Sequence, residues 1–337
     1  TISAAISRPF SGKLTDTIGR KKVIYFGIFF SMLISWIYPF SFSVFFFLIL
    51  RFLHGFSAGF TPTGTTALLT DLIPASKRGQ AMGIWGTFIS LGFGVGQFSG
   101  SWIGINFGMD ALFLIAGFIS VISGLFLLRV EETLEKPEKF DGSQLKVNWK
   151  DVIEPSVVPA AVVMMLTASC SGIIFVLVPD ISGFLGIENK GFFFGYYVMS
   201  TIFVRLFSSS LSDRIGRRET MLIGVCILLV SMILLSRVDS YNSFVLAAIV
   251  FGLATGVSSP TLFAWTADLS HIKRRGVGAG TIFIALEAGI MLGSTSTIFT
   301  YDSTPQSIQQ VFLFGILMSI LAILYLLWHK AYRTSDF

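Results

Sequence analysis

Apolar runs near twenty residues long, separated by short segments of charge, Gly or Pro, recur from one end of the chain to the other. "VIYFGIFFSMLISWI" (23–37) carries no charge, yet it follows "SGKLTDTIGRKK" (11–22), which holds Lys13, Asp16, Arg20, Lys21 and Lys22. A run of about 20 apolar residues is the length that crosses a bilayer as a helix. The pattern predicts spanning helices near 23–38, 41–62, 79–104, 110–128, 156–183, 191–210, 219–236, 242–266, 276–299 and 309–328, with 1–10 as the tail of another. The breaks carry the residues that end helices. One break is long: 129–155 is highly charged and poor in aliphatics, and reads as a solvated cytoplasmic linker. It divides the chain into an N-terminal helical bundle, 1–128, and a C-terminal one, 156–337.

Composition agrees with an all-α multi-pass membrane protein: 53% of residues are hydrophobic, 13% are charged and 35 are Phe. Soluble domains carry roughly 25% charged residues. Cys170 and Cys226 both lie in apolar runs, far apart, and read as buried thiols rather than a disulfide or metal pair. Orientation follows from Lys and Arg. With 11–22 placed in the cytoplasm, alternation puts 67–78, 129–155, 211–218, 268–275 and the C-terminal tail there too. Those segments hold every Lys and Arg except Arg8, Arg51, Lys190, Arg205 and Arg237. The net charge of +5 is therefore topology and implies no nucleic acid.

The charged break recurs. "SSSLSDRIGRRE" (208–219) precedes "TMLIGVCILLVSMILL", and Asp16 and Asp213 are 197 residues apart. The same offset relates Arg8 to Arg205, Leu14 to Leu211, Gly19 to Gly216, Arg20 to Arg217, Asp71 to Asp268, Arg78 to Arg275 and Gly96 to Gly293. The chain is thus two copies of one bundle in the same orientation. The second copy opens with the helix at 156–183, whose counterpart would precede residue 1. The expectation is an N-terminally truncated form of a 12-helix protein, in which the first helix and most of the second are absent.

Residues 12–21, G-K-L-T-D-T-I-G-R-K, and 209–218, S-S-L-S-D-R-I-G-R-R, resemble the signature loop of the major facilitator superfamily, and the likeness extends over essentially the whole chain. Thr17 replaces the usual basic residue and Ser209 the usual Gly. The resemblance implies two parallel six-helix bundles that rock about a midplane cavity, giving alternating access. It implies a gate role for Gly12, Asp16, Gly19, Arg20, Lys21, Asp71, Arg78, Arg205, Asp213, Gly216, Arg217, Arg218, Asp268 and Arg275. In the family the loop Asp engages the start of the eleventh helix, here near Gly276; by the repeat, Asp213 would face the start of the helix near Gly79. The alternative for these charges is fixing topology and capping helices.

Arg51, His54, Gly55 and Gly59 follow the family's antiporter pattern for its fourth helix, where the Arg is associated with proton coupling. Its repeat counterpart is Ala248, so the fold does not demand Arg51. Snorkelling to an interface is the other reading of Arg51, and a structural hydrogen bond that of His54. Gly83, Gly92, Gly96 and Gly100 match the glycine spacing of an antiporter motif in the fifth helix, with Gln97 in place of Pro and Ser101 in place of the last Gly; close helix packing also accounts for small residues. Glu287 lies mid-run with no Lys or Arg within ten residues in sequence and is a proton-carrying or structural candidate. Asp180 is a further site candidate, and Phe175, Phe263 and Trp265 are candidate cavity residues.

No G-x-x-x-x-G-K-[ST] or H-E-x-x-H motif occurs, so nothing supports ATP-driven transport or zinc-dependent proteolysis. The reading is not an enzyme, with no cofactor, metal or catalytic residue. It is a monomeric secondary transporter in the cell (plasma or inner) membrane, exchanging protons for drug-like or other small molecules in efflux. A proton-coupled sugar or nutrient symporter and a non-transporting membrane sensor are the alternatives.

Overall fold

In the computed structural model the chain folds into helices, and no strand occurs among the described residues, which are 2–187, 191–208 and 210–329. Lys190, Ser209 and the C-terminal Lys330 and Arg333 lie outside them, as do the side chains of Gln97 and Ser101. The elements are α1 (Ile2–Thr17), α2 (Arg20–Ile37), α3 (Val44–Ser57), α4 (Thr61–Leu72), α5 (Arg78–Leu128), α6 (Trp149–Val152) and α7 (Val158–Phe184). They continue with α8 (Phe192–Ser208), α9 (Leu211–Ile215), α10 (Arg217–Leu235), α11 (Tyr241–Leu269), α12 (Arg275–Thr300) and α13 (Pro305–Trp328).

Eight segments among the described residues are long and apolar enough to cross a membrane, and Phe192–Arg205 is apolar but shorter. This is a multi-pass membrane protein. The predicted span at 79–104 is helical, within α5, but is not among the eight.

Three boundaries differ from the sequence expectation, each for a local reason. The first charged break is mostly helix: α1 runs through Asp16 to Thr17, and the reversal takes only Ile18 and Gly19, whose φ of 120° suits a residue without Cβ. The run predicted at 41–62 is broken at Ala58–Phe60 and then continues as α4 to Leu72. Pro62, at the second position of α4, fits a helix start because its missing N–H would have had no partner there. The predicted gap at 105–109 closes to one residue, Gly108, at φ 86° and ψ 167° inside α5.

The chain divides into two compact units. The first comprises 1–74, 95–158 and 266–287; the second comprises 75–94, 159–265 and 288–337. Each unit combines segments of both sequence copies. The first has small apolar clusters such as Leu14, Val23 and Phe60, or Ile34, Tyr38 and Leu50. The second has one large core, including Ile173 and Leu177 of α7, Phe193 of α8, Met232 of α10, Phe244 of α11 and Phe312 of α13. Large apolar side chains such as Phe29, Phe45, Phe88 and Phe126 remain exposed, as bilayer-facing residues of spanning helices must. Cys170 is buried, but Cys226 is exposed. A spanning helix has an apolar exterior, so an apolar sequence setting does not entail burial.

In the second unit α7 and α12 meet backbone to backbone. A Cβ added at Gly293 would collide with the Ser169 carbonyl, and one at Gly289 with the Met165 carbonyl. Among the described residues, nothing lies within 4 Å of the same position at the repeat counterpart Gly96. Gly293→Ala is therefore expected to destabilise the fold by about 1–3 kcal/mol, while Gly96→Ala is neutral or gains up to about 1 kcal/mol from helix propensity. Thermal unfolding of the two variants in detergent checks this contrast.

Candidate functional site

The site is built from the two repeated breaks. Asp16, in the last turn of α1, faces the first turn of α12. The Gly276 amide donates to its Oδ1 at 2.7 Å and the Val277 amide to its Oδ2 at 2.9 Å. These amides have no partner within their own helix, and the carboxylate meets the positive end of the helix dipole. Close approach requires the glycines: a Cβ at Gly12 would lie 3.0 Å from the Gly276 carbonyl oxygen, and one at Gly276 would strike the Gly12 carbonyl.

Arg20 joins the second carboxylate to the first. Its guanidinium lies 3.2 Å from Asp16 Oδ1, and its Nε donates to Asp71 Oδ2 at 3.0 Å. Its Nη1 donates to the Thr15 carbonyl at 2.6 Å, and Arg20 is 2% exposed. Arg275 at the start of α12 pairs with Asp71 on the other side. The result is a chain of alternating charge, Asp16–Arg20–Asp71–Arg275, in which every buried charge has a partner. Burial pushes the Asp16 carboxyl up to about 6, against the opposing pull of Arg20 and the two amides.

The second copy repeats the geometry in the other unit. Gly79 and Gln80, at the start of α5, donate their amides to Asp213 Oδ1 and Oδ2, both at 2.9 Å. Arg217 bonds Asp213 at 2.5 Å and Ser212 at 2.7 Å. Gly216 turns the chain at φ 99°, as Gly19 does in the first copy. Residues 79 and 80 stand to 276 and 277 by the same offset of 197, so each loop Asp holds the helix start that the repeat assigns to it. Arg78 opens α5 and Asp268 lies in the last turn of α11, the places that Arg275 and Asp71 occupy in the other copy.

Lys21 and Arg218 do a different job. Lys21 Nζ donates to the carbonyl of Leu128, the last residue of α5, and Arg218 donates to the carbonyls of Leu326 and Leu327 near the end of α13. Both satisfy helix C-termini, the capping role that the sequence left open as the alternative.

Arg8 of α1 and Arg205 of α8 form a second rung, against α12 and α5 respectively. Arg8, 3% exposed, donates to the Gly59 carbonyl at 2.9 Å and Thr63 Oγ1 at 3.1 Å. It reaches Glu287 Oε1 at 3.5 Å, with its guanidinium 4.3 Å from the Phe283 ring centre. Arg205 bonds the Gly86 carbonyl, Ser90 Oγ at 2.8 Å and Ser259 Oγ at 2.6 Å. Ser90 and Glu287 are 197 residues apart, so the rung is ionic in one copy and neutral in the other. Sequence reading paired the two arginines but missed that Glu287 is the partner of Arg8. The offset between 90 and 287 carried that signal.

The remaining candidates lie apart from the rungs. Arg51 is exposed, within 5.8 Å of the Tyr38 ring and 5.5 Å of the Phe47 ring. The His54 ring bonds Ser31 Oγ at 3.0 Å and Tyr38 Oη at 3.2 Å. Among the described residues, nothing lies within 4 Å of a Cβ placed at Gly92 or Gly96, and only Leu112, at 3.5 Å, approaches one at Gly100. Gly83 lies in the first part of α5. Asp180 accepts a bond from Tyr301 Oη at 2.7 Å. Phe263 packs edge-on to Trp85, Trp265 is buried and Phe175 is exposed.

Comparison with known proteins accords with this geometry. An uncharacterized MFS-type transporter of Methanocaldococcus jannaschii, MJ1560, is 22% identical over 86% of this chain and 77% of its own length. The multi-drug resistance efflux pump PmrA of Streptococcus pneumoniae is 27% identical over 77% of this chain, and the multidrug resistance protein MdtG of Klebsiella pneumoniae is 26% identical over 77%. The chain spans about two thirds of the length of these two, 66% and 65%. The crystal structure of the human organic anion transporter MFSD10 (TETRAN) superposes with a TM-score of 0.83 at 18% identity, over 96% of this chain and 81% of that one. Proteins of this kind are transporters and not enzymes. A profile of the Major Facilitator Superfamily matches residues 1–200 and again 160–336, and the chain belongs to that family.

Proposed function

We propose that the protein is a proton-coupled exporter of amphiphilic small molecules, monomeric, working by alternating access in the cell (plasma or inner) membrane with its charged breaks in the cytoplasm. One observation carries the mechanism: the twin docking of Asp16 on Gly276 and Val277 and of Asp213 on Gly79 and Gln80. Each contact ties the loop of one sequence copy to a helix of the other through two hydrogen bonds that no covalent connection enforces. Such contacts can form and release as a unit, which is what a gate requires. The gate residues Gly12, Arg20, Asp71 and Arg275 hold the first docking carboxylate and its helix in register; Gly216 and Arg217 do so for the second. Arg51, His54 and Glu287 are the proton-coupling candidates.

Efflux is the preferred direction because relatives over most of the chain bear the names of multidrug pumps. The test is substrate-linked proton movement in vesicles carrying the protein, with a lipophilic cationic dye as probe and an imposed pH gradient. Dye moving against its gradient as protons run down theirs is the expected result. Co-directional movement of dye and protons would convert the reading to symport, and no linked pH change would favour the sensor.

A further inference from the structure

We propose that the segment between the repeats, residues 129–157, is a strap that positions the gate, with Glu132 and Glu154 as its positioning residues; the proposal rests on the gate reading above. The sequence presents this segment as a solvated linker, and many of its residues are exposed, but Gln144 and Glu154 are buried and the chain is bonded along its length.

Glu132 accepts hydrogen bonds from the backbone amides of Arg20 (Oε1) and Lys21 (Oε2), each at 3.0 Å, at the start of α2. Thr133 Oγ1 donates to Asp71 Oδ2 at 2.6 Å, inside the alternating charge chain. The Glu138 amide donates to the Thr17 carbonyl at 2.9 Å, where α1 ends. Lys13 of α1 donates to the Lys146 carbonyl at 2.8 Å and to Asp151 at 2.9 Å. At the far end Glu154 pairs with Arg274 at 2.8 Å, and its amide donates to Thr281 Oγ1 at 2.9 Å. One segment therefore touches both sides of the contact that Asp16 makes: α1 and α2 before it, and the start of α12 opposite.

The two copies solve the same local problem differently, and this identifies Glu132 as more than an incidental neighbour. A Cβ at Gly216 would meet the carboxylate of Glu219, on the same helix, at 2.6 Å. A Cβ at Gly19 would run into a carboxylate in the corresponding place, that of Glu132, with its carbon at 2.9 Å. The repeat counterpart of Glu219 is Lys22. The second copy thus carries the anion for its loop on its own helix. The first has Lys22 there, and its carboxylate comes from the strap. Gly19 is needed twice, for its positive φ and for the space that Glu132 fills.

Hydrogen–deuterium exchange of the protein in lipid nanodiscs tests the strap. Glu132→Gln is expected to speed exchange of peptide 17–24 about fivefold, the effect of losing one helix cap. Adding Lys22→Glu, which copies the second repeat, should restore it. Glu154→Gln should speed exchange of peptide 272–281 by a similar factor, and Glu135→Gln, on the exposed part of the segment, should change neither. Because the strap acts on the gate and not on cargo, Glu132→Gln should lower turnover at unchanged KM, and Lys22→Glu should recover it. Unchanged exchange in Glu132→Gln, or no rescue by Lys22→Glu, overturns the proposal. If Glu132→Gln fails to assemble, the double variant must restore assembly, and its failure to do so counts against the strap in the same way. Exchange is read without transport, so a wild-type protein lacking linked flux would defeat the exporter reading while leaving this result standing.

Discussion

Asp16→Asn is expected to abolish transport while leaving membrane insertion and yield intact. The amide side chain keeps the size of the carboxylate but offers one acceptor oxygen where the Gly276 and Val277 amides need two, and it removes the charge that meets Arg20 and the dipole of α12. Hydrogen bonds to a charged group contribute about 1.5–3 kcal/mol, so the docked arrangement should lose roughly a hundredfold in population or more. Dye efflux together with a surface-expression assay decides the matter, and near-normal efflux would remove Asp16 from the gate.

Glu287→Leu is expected to produce the largest loss of stability. Arg8 is 4% exposed at its side chain and Glu287 14%, and Glu287 is the acidic partner within reach of the Arg8 guanidinium. Removing one member of a buried pair leaves an uncompensated charge and costs about 3–5 kcal/mol. Replacing both, Arg8→Met with Glu287→Leu, should recover most of that, since no buried charge is then left without its ionic partner. Unfolding of the single and double variants in detergent measures it, and a double variant no better than the single would show that the pair is not the reason Glu287 matters. Glu287→Gln separates this role from proton carriage: a flattened pH profile of efflux marks a proton carrier, an unchanged one a structural partner.

Much of the fold was legible because bilayer-length apolar runs leave few alternatives; the family resemblance placed Asp16 at the helix start near Gly276, and the 197-residue repeat carried that pairing over to Asp213 and Gly79. What escaped has a common cause. The partner of Glu287 is Arg8, far away in sequence, and no window around residue 287 contains it. The linker looked solvated because charge suggests exposure, yet Glu132 and Glu154 are charged in order to bind backbone amides and Arg274. The helical reach of α1 through the first break was hidden for the same reason: polar residues there face a neighbouring helix instead of water. Glycine spacing in α5 was informative about the family but not about contact, since among the described residues nothing lies within 4 Å of a Cβ at Gly92 or Gly96.

The one-residue junction at Gly108 bears on how the chain is made. The two helical stretches of α5 that flank it are joined without a loop, and the polar groups carried at the turn are Asn106 and Asp110. With the charged breaks in the cytoplasm, as proposed above, a nascent chain would have one carboxylate to translocate there and no basic residue to hold it back. The two stretches are suited to entering the bilayer together as a helical hairpin, and a second charge placed beside Gly108 would burden that step during biogenesis before it disturbed the finished fold.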